Sequence, residues 1–161
     1  MPKVIVNSTP IISLCLIEKL HLLKDLYGSI VIPEAVYKEI SVKSESIAKI
    51  ELDKSLDWIQ ILQIKNNMAK VFYKSQLHDG EVEVMILGKE LNAELLIIDD
   101  KNAKKHAKYL GFVVTGTLGV LIKAKKEGYV QSIKPLIKKL VSENIYIDSR
   151  IIEYCLKEAG E

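Results

Sequence analysis

Oxygen-bearing side chains that follow apolar runs are the residues of this 161-residue chain best placed to do chemistry. Leu95–Ile98 is four consecutive apolar residues, followed at once by Asp99 and Asp100. A run of that kind suits a strand covered on both faces, and its end is a costly place for two unpaired charges. A metal ion or a cationic partner would relieve that cost. Capping of a helix that starts at Lys101 or Asn102 would do so too, since aspartate is a favoured N-cap. One of the pair could also cap while the other binds. Val4–Val6 leads in the same way into Asn7 and Ser8. Ligands of open α/β sheets bind beyond the carboxyl ends of the strands, which marks both positions as candidates.

Two further acids join them. In a helix running from Gly80 to about Leu91, Glu81 shares its side with Val84, Met85 and Gly88, whereas Glu83 points nearly the opposite way with Glu90. Glu81 is therefore expected among apolar neighbours and Glu83 in solvent. Gly88 would allow close helix–sheet approach. Glu39 lies late in a helix over Pro33–Ile40, where an acid opposes the helix dipole. An acid in a first helical turn and an exposed helical glutamate are both common without any function. Gathered in one place, these oxygens would suit magnesium or manganese. Such an ion can activate water and offset charge developing on a phosphate.

The elements that must position these groups alternate short apolar strands with helices. Strands are expected at Lys3–Val6, Ser29–Ile32, Leu95–Ile98 and Phe112–Val114, with a possible edge strand in Trp58–Ile64 and an extended Tyr146–Asp148. Helices are expected over Pro10–Leu16 with Ser8 or Thr9 as cap, Ile17–Leu26, Pro33–Ile40, Lys43–Lys54, Gly80–Leu91 capped by Asp79, Asn102–Leu110, Leu118–Glu127, Ser132–Glu143 and Ser149–Ala159. Asn66–Gln76 is ambiguous. The pattern implies βαβ units, a mainly parallel sheet and a single domain over residues 1–161.

Composition narrows the function. The formal net charge is +2, and Arg150 is the only arginine among many lysines. If nucleic acid is the partner, phosphate contact should then outweigh base reading. Cys15 and Cys155 lack paired spacing and are expected as small buried hydrophobes. His21, His78 and His106 are dispersed and receive no role. Trp58 and the tyrosines form no stacking motif, and phosphate-loop and dinucleotide glycine fingerprints are absent. No stretch approaches the roughly 18–20 apolar residues of a bilayer span, and the N-terminus does not read as a signal peptide, so a cytoplasmic location without membrane contact is expected.

Four segments resemble the PIN domain, most closely a prokaryotic PIN-like branch: Val4–Ile12, Ile30–Ile40, Leu77–Val84 and Leu95–Ala103. A fifth, Thr115–Leu121, follows in the same order. The resemblance covers most of the chain and implies a three-layer α/β/α fold. It places the family's acids on Asn7, Glu39, Glu81 and Asp100, with Ser8, Thr9, Glu83 and Asp99 as auxiliary candidates. Asn7 departs from the pattern, because an amide oxygen brings no negative charge. The resemblance implies magnesium or manganese on Glu39, Glu81 and Asp100 with Asn7 assisting, and hydrolysis of single-stranded RNA. Ser8 or Thr9 would contact a water or a phosphate oxygen, and Lys101, Lys104 and Lys105 would hold the RNA backbone, unless they form only a solvated helix face. It also implies a small antitoxin as a possible partner and a possible homodimer, for which Leu118–Leu140 offers apolar residues that could equally belong to the core. The competing readings are an inactive PIN-like interaction module, with Asn7 marking a lost site, and a phospho-acceptor domain on a flavodoxin-like sheet. The last would want an acidic pair where Asn7-Ser8 stands.

Overall fold

The computed structural model describes residues 3–42, 45–73 and 77–161, apart from the side chains of residues 72 and 73. In chain order the elements are β1 (Val4–Val6), α1 (Ser8–Leu16), α2 (His21–Tyr27), β2 (Ile30–Pro33), α3 (Glu34–Ser41), α4 (Ile47–Lys54) and β3 (Ile59–Leu62). They continue with α5 (Asn67–Tyr73), α6 (Asp79–Glu90), β4 (Leu95–Ile97), α7 (Lys101–Tyr109), β5 (Val114–Thr115), α8 (Thr117–Lys126), α9 (Lys134–Ser142) and α10 (Ser149–Glu158). The strands form one parallel sheet in the order β3-β2-β1-β4-β5, enclosed by helices in a three-layer α/β/α arrangement.

The burial of each strand follows from its place. β1 and β2 are buried at every residue, whereas β3 and β5 at the sheet edges are only partly covered. Fully apolar runs mark the strands covered on both faces. In the register, Val6 stands beside Ile97, and the Asn7 N–H donates to the Ile97 carbonyl at 2.9 Å. The chain after β1 and the chain after β4 therefore leave the sheet side by side, which brings Asn7 and Asp100 to the same end.

Most expected elements are present with shifted ends. The first helix begins at Ser8 rather than Pro10, so Asn7 and not Ser8 or Thr9 takes the N-cap position. Pro10 is accommodated in the first turn, where a missing N–H costs no intrahelical bond. Similarly, His78 rather than Asp79 precedes α6. The fourth expected helix starts at Ile47, where the Ser46 hydroxyl accepts from the Lys49 N–H at 3.1 Å; the expected residues Lys43 and Ser44 lie outside the described residues. The ambiguous stretch forms α5, and residues 74–76 again lie outside the described part. Phe112 is not in a strand. Its ring lies where a side chain on Gly88 would be, 2.9 Å from the position of a Cβ there, so Gly88 does permit close packing of α6. Tyr146–Asp148 forms no strand, and Asp148 instead caps α10 through the Arg150 N–H.

Within Leu118–Leu140, Val120, Leu121, Ala124, Ile133, Ile137 and Leu140 are buried in the core, whereas Leu118, Ile122, Val130 and Leu136 are partly covered and Tyr129 is exposed. Cys15 and Cys155 are free and buried, and burial pushes the Cys15 thiol up to about 12. Among the described residues, no helix is long and apolar enough to cross a membrane.

Candidate active site

Beyond the carboxyl ends of β1 and β4 lies an open cleft lined by Asn7, Ser8, Thr9, Glu39, Leu77, His78, Asp79, Glu81 and Asp100. Asn7 stands in the N-cap position of α1, where an asparagine ordinarily accepts a bond from the first turn. Its side chain makes no such bond, and its Oδ1 is buried without a partner. Glu81, only 6% exposed, accepts from the His78 N–H through Oε1 at 3.2 Å, while its Oε2 is likewise buried and unpartnered. A buried acceptor left unsatisfied costs about 1–3 kcal/mol, and more when charged. Two such oxygens on residues that line one cleft are therefore an unusual expense for a stable fold. Burial pushes the Glu81 carboxyl up, with the charges of Asp100 and Glu39 adding to the rise and the His78 N–H opposing it. The described lining residues include four carboxylates and one imidazole but no lysine or arginine. Electrostatically, the cleft suits a cation.

Glu39 reaches the same cleft from α3. Its Oε2 accepts from Ser8 Oγ at 2.8 Å, and its Oε1 accepts from the Gly80 N–H at 2.8 Å. Asp100 does both things expected of an acid at this strand end. Its Oδ2 caps α7 by accepting from the Ala103 N–H at 2.8 Å, and the residue also lines the cleft. Asp99 faces elsewhere. Its two oxygens accept from the Thr117 N–H at 2.7 Å and from Thr117 Oγ1 at 2.6 Å, tying the end of β4 to the start of α8. Its auxiliary place at the cleft is thus corrected: adjacent residues at a strand end point opposite ways.

Glu83 is also corrected, because it is buried rather than solvated. Its Oε1 accepts from the Ala35 N–H at 3.0 Å, and its Oε2 pairs with Lys70 Nζ at 2.8 Å. Of the three candidate lysines, Lys101 and Lys105 are exposed on α7. Lys104 lines a neighbouring groove with Asp99, Gly116 and Tyr146 instead of the cleft. Among the described residues, no three His, Cys, Asp or Glu side chains gather closely enough to hold an ion by themselves. The cleft therefore brings Asn7, Glu39, Glu81 and Asp100 into one lining without a ready-made cluster of acidic ligands among the described residues.

Over residues 3–161 the sequence matches a protein family described as DUF3368: PIN domain. The chain belongs to the PIN domain family. PIN domains are generally nucleases and typically use divalent metal ions. Asn7, Glu39, Glu81 and Asp100, the residues expected from the sequence resemblance, all line the cleft of this PIN domain. A solved structure of a PilT N-terminus domain protein from the archaeon Sulfolobus solfataricus is similar at 24% identity, with a TM-score of 0.55, over 75% of this chain and 92% of that one. That likeness supports the fold. No curated protein matches.

Sequence reasoning missed three residues of the PIN cleft. Leu77 is buried in its lining, His78 and Asp79 are exposed there, and the adjacent Gly80 is buried and donates to Glu39. Their signal was the run Leu77-His78-Asp79-Gly80-Glu81 itself. A helix that starts at the carboxyl end of a parallel sheet presents its first turn, and the residue before it, to the ligand site.

Proposed function

We propose that this PIN domain is a magnesium- or manganese-dependent endoribonuclease that hydrolyses phosphodiesters of single-stranded RNA. One observation carries the reading: Asn7 Oδ1 and Glu81 Oε2 are buried without partners on an acid-lined cleft. Two hard oxygens with further carboxylates nearby fit magnesium, which usually takes one or two protein oxygens and keeps several waters. Asn7 and Glu81 would hold the ion, with Asp100 and Glu39 adding negative charge around it. When bound, the ion would lower the pKa of a water and offset charge on the phosphate.

The side chains supply the remaining roles. The Ser8 hydroxyl already donates to Glu39, which leaves Thr9, exposed on the rim, to donate to a phosphate oxygen. Lys101 and Lys105 follow Asp100 on the exposed face of α7 and would hold the RNA backbone as point charges. The proposal extends to a cytoplasmic, toxin-type protein restrained by a small antitoxin.

Cleavage of a single-stranded RNA should require magnesium or manganese, stop with a chelator, and fall at least a hundredfold in Asp100→Asn. Equal rates in the two proteins would reject the assignment. A second reading, a PIN-like interaction module with little activity, draws on Asn7 and on the lack, among the described residues, of three acidic, imidazole or thiol side chains placed to hold an ion. It predicts that neither ion raises the melting temperature of the wild-type protein, whereas ion binding to the native state must raise it.

A further inference from the structure

Glu39 spends both carboxylate oxygens on donors of the protein. Ser8, which gives its hydroxyl to Oε2, immediately follows Asn7, and Gly80, which gives its N–H to Oε1, immediately precedes Glu81. The two donors thus adjoin the two residues whose oxygens are buried without partners. Gly80 is in the first turn of α6, where backbone N–H groups have no acceptor within the helix and a carboxylate is a favourable partner. A Cβ at this position would collide with Glu39 Oε1 and lie 2.8 Å from its Cδ. A side chain there would force the Glu39 carboxylate to move. Glu83 makes the converse bond, from α6 to the Ala35 N–H in the first turn of α3. Helices α3 and α6 therefore each cap the other with a carboxylate.

We infer that Glu39 is a positioning residue and not an ion ligand. Its carboxylate clamps the start of α1 to the start of α6, and Gly80 is the gap that admits it. Asn7 Oδ1 and Glu81 Oε2 are thereby presented to the same ion. The inference rests on the ion-site reading above, and it gives Glu39 a role different from the one the family resemblance implies. A glutamine at 39 separates the two roles. Its carbonyl can still accept from Gly80 and its amide can donate to Ser8 Oγ, so the clamp survives while the charge is lost.

The test combines magnesium- and manganese-dependent thermal shifts with hydrogen exchange of the Gly80 amide. It compares the wild type with Glu39→Gln, Glu39→Ala, Gly80→Ala and the milder Ser8→Ala. Glu39→Gln should keep the Gly80 amide protected and hold ion affinity within about tenfold of wild type. Glu39→Ala should speed exchange at Gly80 and weaken ion affinity by about 10–100-fold, as loss of an outer-shell partner does. Gly80→Ala should weaken affinity similarly with every acid of the cleft still present, and Ser8→Ala should lie between. A Glu39→Gln protein with a protected Gly80 amide but no ion-induced shift would overturn the inference, since Glu39 would then be a ligand. Unchanged exchange at Gly80 in Glu39→Ala would overturn it as well. Absence of any shift in the wild type would instead defeat the ion-site reading, and the exchange series would still decide whether the clamp exists.

Discussion

Replacing Glu81 with glutamine should stabilise the ion-free protein, an outcome opposite to that of most substitutions at a buried charged residue. The carboxylate keeps one bond, from the His78 N–H, and leaves Oε2 buried and unpaired. Glutamine retains an acceptor for that N–H, removes the buried charge, and puts an NH₂ group into a cleft lining that offers the acceptor oxygens of Asn7, Glu39, Asp79 and Asp100. Relief of one unsatisfied buried acceptor is worth about 1–3 kcal/mol. Allowing for imperfect geometry of the new donor, we expect a gain of about 1–2 kcal/mol. At about 2–4 °C per kcal/mol for a chain of this length, the melting temperature should rise by roughly 2–8 °C. The gain should also depend on pH. The Glu81 carboxyl titrates above its ordinary value in the folded state, so the native protein holds a proton that the unfolded chain has released. Wild-type stability therefore falls as pH rises from the unfolded value of 4.5 through the folded one, and Glu81→Gln lacks that fall. Thermal unfolding in chelator from pH 4 to pH 8 measures this, and adding magnesium should raise the wild type while leaving the variant unmoved. A Glu81→Gln protein that is less stable than wild type at every pH would refute the reasoning, because Glu81 would then be a structural acid.

Glu83, two residues along, should behave in the opposite way. Glu83→Ala removes the partner of the partly exposed Lys70 and strands the Ala35 N–H, and loss of about 1–3 kcal/mol is expected in a urea titration. Glu83→Gln should lose less, because it can still accept from Ala35. Glu161 supports the other end of the molecule. Bonds from the Ser132 hydroxyl and the Ile133 N–H, then from Lys125 and the Lys134 N–H, lower its carboxyl to about 2. That depressed value contributes stability above the unfolded pKa that is lost as pH falls towards 2, and in melting curves Glu161→Gln should flatten this acid limb.

The strand pattern and the start of α7 were readable because each rests on local chemistry: unbroken apolar runs for β1, β2 and β4, and an aspartate before α7. The angular argument on α6 placed Glu81 correctly and Glu83 wrongly. A helix with one solvated face would hide one glutamate and expose the other. Instead, α6 packs on β1 and β2 and also against α3 and α5, so both are covered. Only tertiary structure could show that Lys70 and the first turn of α3 meet Glu83. The choice between Asp99 and Asp100 was likewise open until the start of α8 was seen to take the former. Asn7 stood out as an amide in an acid's place, but its N-cap position follows from α1 beginning at Ser8, a boundary that Pro10 obscured, and that its oxygen makes no capping bond could be seen only in the structure.

The strand order has a consequence for synthesis of the chain. β1 is the middle strand, and one of its two neighbours, β4, begins only at Leu95. A nascent chain that ends before that point leaves one edge of its first strand open and lacks Asp100 altogether. Non-local parallel pairing of this kind is slow to form, and unpaired edges invite aggregation. The cleft thus cannot be completed until Asp100 has been synthesised, and amino-terminal fragments that stop short of it would be released without the site.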